Sequence, residues 1–196
     1  MAAGKLSPRQ KMINLMYLVF IAMLAMNMSK EVLQAFGLMD QKLVSATEAA
    51  TNRNNLSYED LRLKAVEQSE KYADEKDKAE KIKKLSDDYY TYIENLKNEM
   101  KATVKDPTDY ETMDKGKFLD DKFLKGNDGD YKPDGQAFLD NINNYTSQVG
   151  AILGKEYKNV ATDATNRFTT AKVVDRDGKE RFWLDYNYKG FPLIAS

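Results

Sequence analysis

Residues 12–28, MINLMYLVFIAMLAMNM, carry no charged side chain. At about 1.5 Å rise per residue they make a helix roughly 25 Å long, slightly short of the ~30 Å hydrocarbon core of a bilayer. The helix need not stop at Met28, because Val32, Leu33, Phe36, Met39 and Leu43 continue an apolar stripe, mostly at three- and four-residue steps. One rod is expected from about Ser7 to Asn52, leaving the membrane near Ser29. Ser7 suits the N-cap and Pro8 the first helical position. Lys5, Arg9 and Lys11 stand before the run with no acid among them, and the basic flank of a span faces the cytoplasm. The expected orientation is N-terminus inside, body outside.

A cleaved signal peptide would share this charged start and apolar centre. No small-x-small site closes the run: Ala22 and Ala25 are wrongly spaced, and Ala35-Phe36-Gly37 comes late, on a helical face. A buried helix of a soluble core seldom follows three basic residues directly. A retained anchor is therefore the expectation.

The formal net charge is −1, and setting Lys5, Arg9 and Lys11 aside leaves −4 for the remainder, so no basic surface points to nucleic acid. Cysteine and histidine are both absent. Disulfides, thiolate or imidazole zinc sites and the usual nucleophilic triads are thereby excluded. No cofactor is expected. Asn127, Asp128 and Asp130 in Gly-Asn-Asp-Gly-Asp come nearest to a calcium loop, but the spacing fails the EF-hand pattern and no closing Glu follows, so a solvated turn is expected.

Beyond the rod, a second helix is expected from Ser57 to about Thr103, opened by Ser57-x-x-Asp60 as a capping box. Ile82, Leu85, Tyr89, Tyr92, Leu96 and Met100 give it a packing seam, while Glu70 to Lys84, mostly charge and alanine, reads as surface. Lys105 to Gly135, with Pro107, Pro133 and Gly116, Gly126, Gly129 and Gly135, reads as an extended connection with a short turn around Phe118, Leu119, Phe123 and Leu124. Asp134 is expected to cap a third helix carrying Phe138, Ile142, Tyr145, Val149 and Ile152, which Gly154 either kinks or ends. Lys172-Val173-Val174 and Arg181-Phe182-Trp183-Leu184 suggest a small hairpin closed at Asp177-Gly178. Pro192 opens either a helix or a strand, an unfinished pattern that leads us to expect further domains after Ser196.

Inside the span, Asn14 and Asn27 bond either to a neighbouring helix or to headgroups. Tyr17 reads as an interfacial aromatic. Arg9 either snorkels to headgroups or pairs with a partner's carboxylate. Met12, Met16, Met23, Met26 and Met28 are either membrane filler or an adaptable surface for changing neighbours. With no ionisable side chain between Met12 and Met28, the chain cannot itself relay protons across a membrane, and any protonatable group must belong to another subunit.

The run GKLSPRQKMINLMY (4–17), the run NMSKEVLQAFG (27–37) and, at the end, WLDY (183–186) and GFPLIAS (190–196) together resemble the GldM family, called PorM in some species. The resemblance implies an inner-membrane component of the type IX secretion system, which also powers gliding. It implies a homodimer whose paired anchors are surrounded by helices of GldL, a small membrane protein, in a motor similar to flagellar stators and driven by the proton-motive force. It implies β-sandwich domains beyond this part. Arg9 is then the implied partner of a GldL glutamate, with Tyr17, Asn14 and Lys11 in the same contact region. Related motors carry an essential aspartate on their central pair; this span has no acid.

The expected protein is mainly α. A cytoplasmic N-terminus and single transmembrane helix (1–30) continue into a periplasmic helical bundle (31–196) with a small β-hairpin near the C-terminus. It is expected to be a force-transmitting motor subunit rather than an enzyme, bound to GldL-like subunits, to a second copy of itself and to further periplasmic and outer-membrane secretion components. A static tether of a periplasmic assembly would use the same features. An anchored Asp/Glu hydrolase would need two carboxylates within reach of one another.

Overall fold

A computed structural model describes residues 7–114 and 117–196, with residues 25–29 described by their backbone alone. The expectations at Lys5 and Gly116 and for the side chains of Met26, Asn27 and Met28 lie outside the described residues. The fold is mainly helical with one two-stranded hairpin.

Helix α1 (Pro8–Glu67) runs 60 residues without interruption, about 90 Å at helical rise. Ser7 caps it, its Oγ accepting from Gln10 N at 3.3 Å, and Pro8 takes the first position. The expected stop at Asn52 and fresh start at Ser57 do not occur. Asn52, Asn54 and Asn55 each cost only a few tenths of a kcal/mol in a helix, and no Gly or Pro stands there to break it, so Ser57 and Asp60 are mid-helix rather than a capping box. The chain turns instead at Gln68, which leaves helical geometry (φ −133°, ψ 63°) and whose carbonyl accepts from both Lys71 N and Tyr72 N. Among the described residues no helix is long and apolar enough to cross a membrane; Ala25 to Met28, the end of the uncharged run, are among those without described side chains.

Helix α2 (Ser69–Lys101) returns alongside α1. Its first half carries i,i+4 ion pairs at Asp74–Lys78, Lys76–Glu80 and Lys83–Asp87, exposed pairs worth little each. The seam Ile82, Leu85, Tyr89, Tyr92, Leu96 and Met100 turns inward as its spacing requires.

The segment from Lys105 to Gly135 is more structured than its glycines suggest. A 3-10 turn (Tyr110–Thr112), helix α3 (Phe118–Phe123) and an isolated bridge between Leu124 and Tyr131 occupy it. It contributes Met113, Leu119, Phe123 and Leu124 to the core. Gly126 and Gly129 allow the sharp reversal, at φ 60° and 84°. Helix α4 (Pro133–Leu153) starts with Pro133 in its first turn and Lys132 at the cap, so Asp134 lies inside the helix and is not its cap. Gly154 ends it at φ 63°. Helix α5 (Lys158–Arg167), unforeseen because it buries no side chain and has no apolar seam, folds back on α4.

The hairpin pairs β1 (Val173–Val174) with β2 (Glu180–Arg181) in antiparallel register, Val173 opposite Arg181. Asp175 holds its turn, accepting from Asp177 N, Lys179 N and Arg181 Nε at 2.9–3.0 Å. Trp183 and Leu184 do not extend the strand. They open helix α6 (Trp183–Tyr188), where Leu184 is fully buried. After Pro192 the chain makes a 3-10 turn, Leu193–Ala195.

The core gathers Met100, Met113, Leu119, Phe123, Leu124, Phe138, Ile142, Leu184 and Leu193. Phe138 is its hub: its ring stacks on Phe123 at 5.2 Å and meets Tyr188 edge-on at 5.8 Å. Beneath it Asp185, nearly buried, accepts from Tyr131 Oη at 2.9 Å and Gly129 N at 3.1 Å, which ties α6 to the glycine loop. Burial, and then the neighbouring carboxylate, push the Tyr131 phenol above its ordinary value, so it stays a donor. Asp128 is engaged by Lys189 at 2.6 Å and Arg181 at 3.4 Å, so the Asn127–Asp130 turn is docked rather than merely solvated.

Phe138→Ala should lower the unfolding free energy by about 3–5 kcal/mol, the usual cost of deleting a buried aromatic. Denaturant titration of the purified chain followed by tryptophan fluorescence checks it, since Trp183 lies 6.4 Å from the Phe138 ring; a loss under about 1 kcal/mol would contradict the hub assignment.

Candidate functional site: the bare rod and its collar

Two stretches of α1 differ from the rest of the molecule. From Met12 to Leu24 every residue of the helix is exposed. Met12 is 67 % exposed and Phe20 59 %, and Leu15, Met16, Leu18 and Ile21 are similarly open. A contiguous apolar surface of that kind marks a membrane or protein contact rather than a solvated face. Arg9, Lys11, Asn14 and Tyr17 are all exposed on this part of α1. The structure does not gather them: at 100° per residue they spread round most of the helix, and about 12 Å of rise separates Arg9 from Tyr17. Gln10 Nε2 donates to Asn14 Oδ1 at 3.3 Å, an exposed contact within the helix.

The second stretch begins where the bare surface ends. Between Lys30 and Gln41 the helix is held by a strap, residues 109–113, and the C-terminal turn at Leu193–Ala195 also packs against α1. Leu33 and Gly37 are buried there, one turn apart. The Tyr110 ring lies flat on Gly37, so close that a Cβ at Gly37 would fall inside it. Polar contacts bracket the ring. Lys30 Nζ lies 2.8 Å from Glu111 Oε2, and Gln34 Nε2 donates to Glu111 Oε1 at 3.1 Å. Further along, Gln41 Nε2 donates to Tyr110 Oη at 3.0 Å. Ile194 N donates to Met113 O at 3.4 Å, closing the collar with the C-terminal turn.

The collar residues Lys30, Gln34, Gly37 and Gln41 step by four, three and four, and so form one face of α1. Sequence reasoning missed this face because it sought apolar seams, and this one is polar with a glycine at its centre. Gly37 was the available signal: a glycine inside a helix costs about 1 kcal/mol against alanine and asks for a reason, here a close approach. Val32, Phe36, Met39 and Leu43 point roughly 160° away and are exposed, so α1 presents a gripped face and an open apolar face at the same height.

Comparison with known families gives a match to the model described as GldM N-terminal domain, over residues 31–196. The chain belongs to the GldM family. The match takes in the strap, the C-terminal turn and all of the collar except Lys30, while the bare rod precedes it. Comparison with curated proteins finds no match. Membership makes the chain a component of the gliding and type IX secretion machinery and a member of its complex.

The collar's ion pair titrates. The Lys30 ammonium, by hydrogen bond and then by charge, holds the Glu111 carboxyl below the ordinary 4.5. A lowered folded-state value means that this contribution to stability is complete above the unfolded value and disappears as pH falls through the lowered one. The difference in melting temperature between the parent chain and Glu111→Gln should therefore shrink as pH drops from about 5 to about 3. A difference that stays constant across that range would remove the ion pair from the collar's energetics.

Proposed function

We propose that this GldM-family chain is a force-transmitting subunit of an inner-membrane motor, with its bare rod lodged in the bilayer, its N-terminus in the cytoplasm and its body in the periplasm. The reading rests chiefly on one observation: an uncovered apolar helix continues without a break into a helix gripped by the folded body. A tail joined by a flexible linker would hold a protein at a membrane but could not turn it. The three basic residues ahead of the run set the orientation.

The rod has no acid of its own between Met12 and Met28. In this proposal GldL-like subunits surround it and supply the glutamate that the proton-motive force protonates. Arg9 faces that carboxylate, and Lys11, Asn14 and Tyr17 complete the contact region. Protonating the glutamate weakens its attraction to Arg9, so proton flow selects which surrounding subunit engages the rod. A second copy of the chain packs through the open stripe Val32, Phe36, Met39 and Leu43, whose three- and four-residue steps suit a helix pair. The body passes the movement on to further periplasmic and outer-membrane components. No catalytic role is assigned: the sequence has neither histidine nor cysteine, and the proposed work is mechanical. A static tether would share every one of these features except the need for Arg9's charge.

Arg9→Ala should abolish gliding and secretion while the membrane complex still co-purifies, and Arg9→Lys should retain part of the activity. Normal secretion by the assembled Arg9→Ala complex would remove the charge-coupled mechanism and leave the tether.

A further inference from the structure

We propose that the seat of Tyr110 on Gly37 is a keyed joint that stays closed throughout the working cycle, so that rotation of α1 enters the body at the collar. The proposal rests on the motor reading above and names where the motion is handed over.

Two routes lead from the rod into the body. One follows α1 to its end and returns through the turn at Gln68. From Gln41 to that turn is about 40 Å of helix that packs along α2 but is mostly exposed, and a long, largely uncovered helix can bend along its length. The other leaves α1 at the collar, within the first three turns after Ser29. Its contacts suit a key. A flat ring fills a notch that only glycine provides, which opposes sliding along the helix. Lys30 and Gln34 meet Glu111 on one side of the notch and Gln41 meets the tyrosine hydroxyl on the other, which opposes rotation about it. The strap leads at Met113 straight into the core that holds Phe123, Phe138 and Leu184. The glycine is explained by what it admits.

The absence of cysteine gives a direct test in the full chain with its membrane partner in place. Because the Tyr110 ring begins against the position of a Gly37 Cβ, cysteines at both positions would place their Cβ atoms no more than about 4 Å apart, within reach of a disulfide. The double variant Gly37→Cys/Tyr110→Cys loses the ring and the notch, and its disulfide replaces the key by a covalent one. Gliding and secretion are measured with the disulfide formed and after reduction, beside the parent chain under the same reductant. Disulfide formation is followed by gel shift and assembly by co-purification of the complex. The expected result is movement with the bond formed and loss of movement on reduction, with the complex assembled in both states. Movement that survives reduction would overturn the proposal, as would loss of movement in the fully cross-linked complex, whether or not reduction restores it. If the double variant fails to assemble, Gly37→Ala serves in its place. It should stop movement with helix content and assembly unchanged, and normal movement would overturn the joint. Arg9→Ala in parallel separates the two readings: normal secretion there removes the motor mechanism, while the redox dependence of the cysteine pair still judges the joint.

Discussion

The Tyr110 ring on Gly37 is the contact that makes a rod and a body into one object. Besides it, α1 meets the rest of the chain through α2, the turn at Gln68 and the C-terminal turn. With it, the body is fixed to the helix just after Ser29, and everything else falls on one side of that grip. The collar's other partners stand beside the same seat. Glu111, next to Tyr110, reaches Lys30 and Gln34, and the C-terminal turn bonds to the strap at Met113 and also packs against α1.

The core explains why the strap can hold. A loop pressed against a helix by three polar contacts would be weak, since exposed contacts of this kind contribute little. The strap is instead anchored at Met113, and its continuation into α3 buries Leu119 and Phe123 against Phe138. The grip borrows its stiffness from hydrophobic packing about ten residues away along the chain. Asp185 extends the arrangement: it fixes the glycine loop to α6, and α6 leads to the C-terminal turn that touches α1. Both arms of the collar therefore issue from one packed centre.

How much of this could be read from the sequence depended on the kind of signal each element carries. Period did well. The seam of α2 and that of α4 fell on the positions their apolar spacing required, and the Asp-Gly hairpin formed where turn chemistry placed it. Breaks did poorly. An end to α1 was expected at about Asn52, yet the intrinsic cost of the asparagines there is too small to stop a helix that packs against α2. The true turn came at Gln68, a residue with no turn preference of its own. Between Lys105 and Gly135, glycines and prolines suggested an extended connection with one short turn around Phe118 to Leu124; α3 forms at that turn, and burial of Met113, Leu119, Phe123 and Leu124 makes the segment more structured than those residues suggest. Helix α5 was invisible because it buries nothing. The collar stayed hidden for a related reason: its helical face is polar, and its other half lies about 70 residues away in sequence, beyond any local pattern.

That distance in sequence bears on how the machine could be built. An apolar anchor is cheap to specify, because a run of uncharged residues suffices and many sequences satisfy it. A torsion-resistant attachment is not. It needs a notch, a flat side chain to fill it and a packed support behind that side chain, contributed by segments that meet only when the chain folds. A chain whose purpose was merely to stay at the membrane could end its anchor in a flexible linker and spare itself a glycine in the middle of its longest helix. Here the helix continues past Ser29 and gives up about 1 kcal/mol of local propensity at Gly37, and a tyrosine from the strap closes on that glycine. The open stripe at the same height then has a defined orientation relative to the body, because the collar fixes α1 about its own axis. A second copy seated on Val32, Phe36, Met39 and Leu43 would thus set the angle between two bodies as well as between two rods.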